Sequence, residues 1–203
     1  MSVHLHEGDL PDGIAFGEIV AVDTETMGLV PRRDRLCLVQ LSAGDGEAHL
    51  VRFSRGRYEA PNLRRLLADR TRLKLFHFAR FDLAVIEHYL GVRCEPVYCT
   101  KIASRLARTY TDKHGLRDLC RELLGVELDK QAQSSDWGAA QLSEEQLRYA
   151  ASDVLHLHAL KARLDAMLER EGRRPLAEAC FAFLPARAHL DLLGFEEVDI
   201  FAH

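Results

Sequence analysis

The chain lacks several things that would fix its class at once. It has no basic excess: 27 lysines and arginines stand against 31 aspartates and glutamates, a formal net charge of −4. A protein that grips a long nucleic acid by its phosphates usually carries a basic stripe. Any nucleic-acid partner of this chain should therefore be short, or held locally. Paired cysteines are missing too. Cys37, Cys94, Cys99, Cys120 and Cys180 are scattered, odd in number and without a CxxC, which argues for reduced thiols and against a disulfide framework or a structural zinc site. The ten histidines form no HExxH. No apolar run approaches membrane-spanning length, and the start, Met1 to Glu7, lacks the basic flank and apolar core of a signal peptide. A cytoplasmic location is the expectation. With no repeat, no low-complexity segment and no long linker, the 203 residues are enough for one domain with a real core.

What is present reads as α/β. Strands are expected over Ile19 to Asp23, Leu36 to Ser42 and Glu47 to Phe53, the last two joined by the turn signal Ala43-Gly44-Asp45-Gly46. Helices are expected from Pro61 to Ala68, Ala79 to Leu90 and Thr100 to Ala107, with short strands at Leu73 to Phe76 and Val97 to Cys99. The second half looks helical. Gly115 to Leu124 is one segment, and Ser143-Glu144-Glu145-Gln146 is a capping box opening a long helix to about Glu169. Arg173 to Leu193 should be helical but bent or broken at Pro185. The pattern predicts a mixed central sheet flanked by helices.

Chemistry gathers at three places. Asp23 and Glu25 end the first apolar strand one residue apart, so both point to one side of it. Two such charges repel and resist desolvation, a cost that a divalent cation would cancel; a strand entering an acidic turn at Gly28 would look the same. Asp82 falls in the first turn of a helix among apolar neighbours, where the helix dipole alone would favour it. Tyr149 and Asp153, four apart, share a helix face. Four carboxylates can hold two hard divalent ions, the arrangement that clamps attacking and leaving oxygens in phosphoryl transfer.

The order D-x-E, F-D, Y-x-x-x-D resembles the DEDD exonucleases, in the subgroup whose last motif contains tyrosine, over about Ile19 to Lys161. Gln133-Ser134-Ser135-Asp136-Trp137, with Leu142-Ser143 and Gln146 through Asp153, resembles ribonuclease D. Thr100 to Ser104, Thr109 to Asp112, Phe183-Leu184-Pro185 and Asp199 to His203 are similar to the nano-RNase C family of short ribonuclease D relatives, which carries the likeness over nearly the whole chain. The resemblance implies a ribonuclease H-like fold, one exonuclease domain over residues 1–203, with a core of about 19–169 and a C-terminal helical extension of about 173–203. It implies that Asp23, Glu25, Asp82 and Asp153 bind two Mg2+ or Mn2+ ions and that Tyr149 places the attacking water. The implied activity is 3′-5′ removal of nucleoside 5′-monophosphates from very short RNAs, dinucleotides above all, by a homo-oligomer, a ring of eight. The expected substrate contacts are Thr24, Met27, Gly28 and Leu29, the last as an apolar wedge against bases. His77 and Trp137 are candidate walls that could equally be core residues. One of two basic clusters, Arg32-Arg33-Arg35 or Arg105-Arg108-Lys113-His114, is the candidate contact for a 5′ phosphate.

Two departures stand out. Phe78 occupies a place where many relatives have asparagine, and Gly138-Ala139-Ala140 replaces an Arg-Pro of ribonuclease D. The chain also ends before the helical RNA-binding domains of ribonuclease D, which points away from structured RNA. The alternatives are ribonuclease D-like trimming of longer RNA or single-stranded DNA and, from another class, a noncatalytic nucleic-acid-binding module.

Overall fold

Strand β3 (Leu36–Ser42) is buried at every residue, and the molecule is layered around it. A computed structural model describes residues 2–129 and 135–202. Gln133 and Ser134 of the ribonuclease D-like segment lie outside the described residues. β3 pairs antiparallel with β2 (Ile19–Thr26) on one side and with β4 (Glu47–Arg52) on the other. The β3–β4 hairpin turns through Gly44 and Gly46, both at positive φ, as the turn residues predict. β5 (Leu73–Phe76) and β6 (Val97–Cys99) extend the sheet in parallel beyond β2.

The far edge is a strand that the sequence reading missed. β1 (Ser2–Glu7) runs parallel to β4, from Ser2 opposite Glu47 to Glu7 opposite Arg52. Its alternation of histidine with valine and leucine is weak, and only the pairing with β4 reveals it. The six strands lie in the order β1-β4-β3-β2-β5-β6. The sheet is mixed and carries helices on it, as expected.

Helices α1 (Pro61–Ala68), α2 (Ala79–Leu90) and α3 (Thr100–Ala107) match their predicted bounds. The next segment is not a simple helix. One turn, α4 (Leu116–Leu119), passes into a π-helical turn over Cys120–Leu124 and stops at Gly125. Ser143 caps α5 (Glu144–Leu155): its hydroxyl accepts from Gln146 N while the Gln146 side chain accepts from Ser143 N. The long helix expected here is two. His156, at φ −100 and ψ −6, separates α5 from α6 (Leu157–Arg170). α5 lies against β3 and β4 while α6 packs on α3, and one straight rod could not serve both. The last helix is not broken: α7 (Arg174–Leu192) continues through Pro185, which is buried. Packing offsets the backbone hydrogen bond that proline forgoes.

Two apolar clusters divide the sheet. The larger takes in Val39, Leu41 and Val51 with α1, α2, α3, α6 and α7. The smaller gathers Cys37, Leu38, Leu50, Trp137 and Ala150 beneath α5. No helix among the described residues is long and apolar enough to cross a membrane.

Candidate active site

Three elements bring the acidic residues together. β2 presents Asp23 and Glu25 on one side, next to β3, where Asp23 stands opposite Gln40 and Glu25 opposite Leu38. Immediately after Glu25 the register shifts by a bulge, a device that re-aims a strand end next to a site. α5 brings Tyr149 and Asp153 onto the same spot. One oxygen each from Asp23, Glu25 and Asp153 lies within 4.8 Å of the others. Asp82, buried in the first turn of α2, is not among these three. Its Oδ1 accepts from the Thr24 hydroxyl at 2.6 Å.

The carboxylates are held in neutral company. Gln40 Nε2 donates to Asp23 Oδ2 at 3.2 Å, and the Tyr149 hydroxyl donates to Asp153. Burial pushes the Asp23 carboxyl up to about 7. Burial, and then the charges of Asp23, Asp153 and Asp82, raise Glu25 well above the carboxylate range. Burial followed by the Asp23 charge does the same to Asp82 and to Asp153. Burial and the charges of Asp153, Glu25 and Asp23 hold the Tyr149 hydroxyl protonated, far above its ordinary range. Hard oxygen donors, convergent and mutually repelling, fit a divalent cation of the Mg2+ or Mn2+ type.

These groups sit in a cleft of about 770 Å³. Gly28 is required at its rim: a Cβ there would lie 2.3 Å from Asp34 Oδ2, and that carboxylate organises the next turn by accepting from Val30 N at 2.9 Å.

A family profile described as 3′-5′ exonuclease matches residues 13–169. This chain belongs to the 3′-5′ exonuclease family. Within that family it falls on the ribonuclease D-like, nano-RNase C branch. The structure of Brucella melitensis NrnC with bound Mg2+ is 56% identical in sequence, covers 100% of both chains and superposes with a TM-score of 0.96. NrnC of the same organism bound to pGG is 57% identical over 100% of this chain and 99% of that one, with a TM-score of 0.97. Ribonuclease D of Gluconacetobacter diazotrophicus is 38% identical over 154 residues, 76% of this chain and 39% of its own length. The chain thus spans about two fifths of that curated relative. The ribonuclease H-like architecture expected for the family is the one observed.

The remaining candidates of this exonuclease-family chain separate into those that line the cleft and those that do not. Thr24, Met27, Gly28, Leu29, His77 and Trp137 all line it. Leu29 is 85% exposed, so it packs in no core. Trp137 is both wall and core, buried against Ala150 and Leu38 with its ring 6.1 Å from that of Tyr149. His77 Nδ1 lies 2.8 Å from the Thr100 hydroxyl. That hydroxyl donates to Phe76 O, so it accepts from Nδ1–H and leaves Nε2 with a lone pair. Burial, then Lys101, pushes the His77 imidazole down to about 3, so it stays neutral.

Arg105 is exposed outside the cleft, and Arg108 is a correction. Its guanidinium is fully buried, paired with Glu122 and donating to Lys113 O at 2.8 Å and Ser104 Oγ at 3.2 Å. It turns no free donor to a phosphate. In the other cluster, Arg33 is paired with Asp34 and Arg35 reaches Phe53 O and Gly138 O. Arg32 lies 3.8 Å from Glu196.

Sequence reasoning left out Gln40, Phe78, Lys101 and Arg117 as functional candidates. Gln40 Oε1 is buried without a hydrogen-bond partner, and Arg117 lines the cleft. The unusual Phe78 itself was the available signal: it is the N-cap of α2 at φ 62, a left-handed backbone that costs a non-glycine residue about 1–2 kcal/mol.

Proposed function

We propose that this chain is a divalent-metal-dependent 3′-5′ exoribonuclease that degrades very short RNAs, dinucleotides above all, to nucleoside 5′-monophosphates. The observation that carries the reading is the convergence of Asp23, Glu25 and Asp153 within 4.8 Å, without a cation among the described side chains that touch them. Asp23, Glu25, Asp82 and Asp153 would hold two Mg2+ or Mn2+ ions. Bound there, such ions supply Lewis-acid stabilisation of the charge that develops in phosphodiester hydrolysis. Tyr149, kept protonated and donating its one O–H to Asp153, orients the attacking water by accepting a hydrogen bond from it and does not serve as its base. Leu29, exposed at the rim, wedges against the bases.

The preference for a dinucleotide is supported by the full-length likeness to an NrnC solved with pGG and by the net charge of −4, which offers little attraction to a long polyanion. With Arg108 engaged internally, the candidates for a 5′-phosphate contact are Arg32, Arg33, Arg35, Arg105, Lys113 and His114. We also infer a homo-oligomer, a ring of eight. Phe195, Ile200 and Phe201 remain exposed at the end of the chain, apolar surface that a second copy would cover.

The test is mononucleotide release from 5′-phosphorylated RNAs of two to about twenty nucleotides, a range that exceeds the site size of a single binding fold, with enzyme limiting and Mg2+ or Mn2+ present. The expected outcome is a sharp fall in kcat/KM between two and three nucleotides and a loss when the 5′ phosphate is removed. Efficiency flat or rising with length would favour ribonuclease D-like trimming instead.

A further inference from the structure

Phe78 stands where stability alone would not put a phenyl ring. Its neighbours Phe76, Ala79 and Asp82 are buried, yet Phe78 is 48% exposed and its ring lines the acidic cleft. Its backbone is the one non-glycine positive φ among the described residues, and a bulky side chain there is a genuine outlier. Residues held in such strain persist where the surroundings over-determine them, and they cluster at ligand sites. Lys101 lines the same cleft, with Nζ 4.0 Å from the centre of the Phe78 ring. No ion pair of Lys101 with a carboxylate is found among the described residues. One face of the ring thus already holds a cation by its π electrons.

We propose that Phe78 is a base-stacking platform of the cleft, its ring taking the flat face of one nucleobase of the bound oligonucleotide while Lys101 moves to an adjacent phosphate. The inference rests on the exoribonuclease reading and adds to it a specificity-determining contact. Stacking on an aromatic ring accepts any base, because every base has a π face. The contact therefore confers affinity for nucleotides in general and not for a sequence. Leu29, on the loop after β2, and Phe78, at the start of α2, reach the cleft from separate elements. The first is aliphatic and free of backbone strain, and the second is aromatic and strained.

The discriminating variant is Phe78→Gly, because glycine adopts φ 62 freely. Steady-state hydrolysis of a 5′-phosphorylated diribonucleotide, a melting curve and the native mass of the oligomer are measured together on the full chain with Mg2+. Phe78→Gly should raise KM by about 5- to 100-fold, the loss of one stacked base, with a smaller change in kcat and a melting temperature held or raised. Phe78→Trp should restore KM to within a few-fold of the original. With dinucleotides abasic at one or the other position, one of the two should erase the difference between Phe78→Gly and the unmodified protein.

Other outcomes overturn the proposal. They are an unchanged KM in Phe78→Gly, a lowered melting temperature with unchanged KM, a changed oligomer with unchanged KM, or an equal KM penalty on both abasic substrates. Failure of the exoribonuclease reading looks different: the unmodified protein would release no mononucleotide with either metal. A fluorescence titration of the dinucleotide, which needs no turnover, still reads what Phe78 contributes to binding.

Discussion

The molecule buries charge of both signs and treats the two differently. Lys74 and Arg108 are fully buried cations. Lys74 Nζ donates to three backbone carbonyls, of Asp69, Arg72 and Glu95, at 2.6 to 2.8 Å, which uses all three of its protons. Arg108 is paired with Glu122 and satisfied by Lys113 O and Ser104 Oγ. The buried anions receive only neutral donors: Gln40 for Asp23, the Thr24 hydroxyl for Asp82, Tyr149 for Asp153. Desolvation raises all of them. Charge buried for architecture is compensated within the fold. Charge buried at the proposed metal site is left short of compensation, and that deficit is what a metal ion or a proton would answer.

Breaking the anionic side should give the largest effect. Asp23→Asn, Glu25→Gln and Asp153→Asn should each abolish mononucleotide release, since each removes part of the proposed clamp. In EDTA the same variants should melt at or above the temperature of the unmodified protein, because a repulsion has gone. An active variant, or one that melts lower in EDTA, would place these carboxylates with the structural charges.

The cationic side should respond in the reverse sense. Arg108→Met leaves Lys113 O and Ser104 Oγ without their buried donor and Glu122 with Arg121 alone, a change expected to cost about 1–3 kcal/mol in a urea melt. Turnover per folded molecule and the preference for a 5′ phosphate should stay as they were. A loss of that preference with little change in stability would return Arg108 to the substrate site.

The smallest effect concerns pH, and its sign follows from the carboxylates. Asp23 titrates at about 7 in the fold against 3.8 when unfolded, and Glu25, Asp82 and Asp153 are raised in the same direction. The folded protein therefore holds more protons than the unfolded chain between about pH 4 and 7, so these groups make the metal-free protein less stable as pH rises through that window. His77, His6 and His49, lowered by burial, act the other way below their unfolded values. The difference between melting temperatures with excess Mg2+ and in EDTA removes their contribution. That difference should grow steadily from pH 4 to 7 as protons leave the ligands. A difference independent of pH would mean that the carboxylates are not where the metal binds.

Much of this was legible in the sequence because it is local. Asp23 and Glu25 share a strand side by parity, Tyr149 and Asp153 share a helix face by spacing, and the Ser143 capping box marked the start of α5. Asp82 was named, but its engagement with Thr24 joins residues 58 apart in sequence, which no local pattern encodes. β1 went unseen because an edge strand of histidine, valine and leucine acquires its identity only from the neighbour it pairs with.

By itself the sequence determined the chemistry: which side chains carry charge, at what spacing, and on which face of their own element, since backbone geometry makes these periodic. Only the tertiary structure decided which charges are compensated. It turned Arg108 inward onto Glu122, broke the helix at His156 so that α5 and α6 could pack on different partners, and held Phe78 in a left-handed backbone with its ring in the cleft. The physical reason is that desolvation and pairing depend on what surrounds a group in space, and those surroundings come from parts of the chain far apart in sequence.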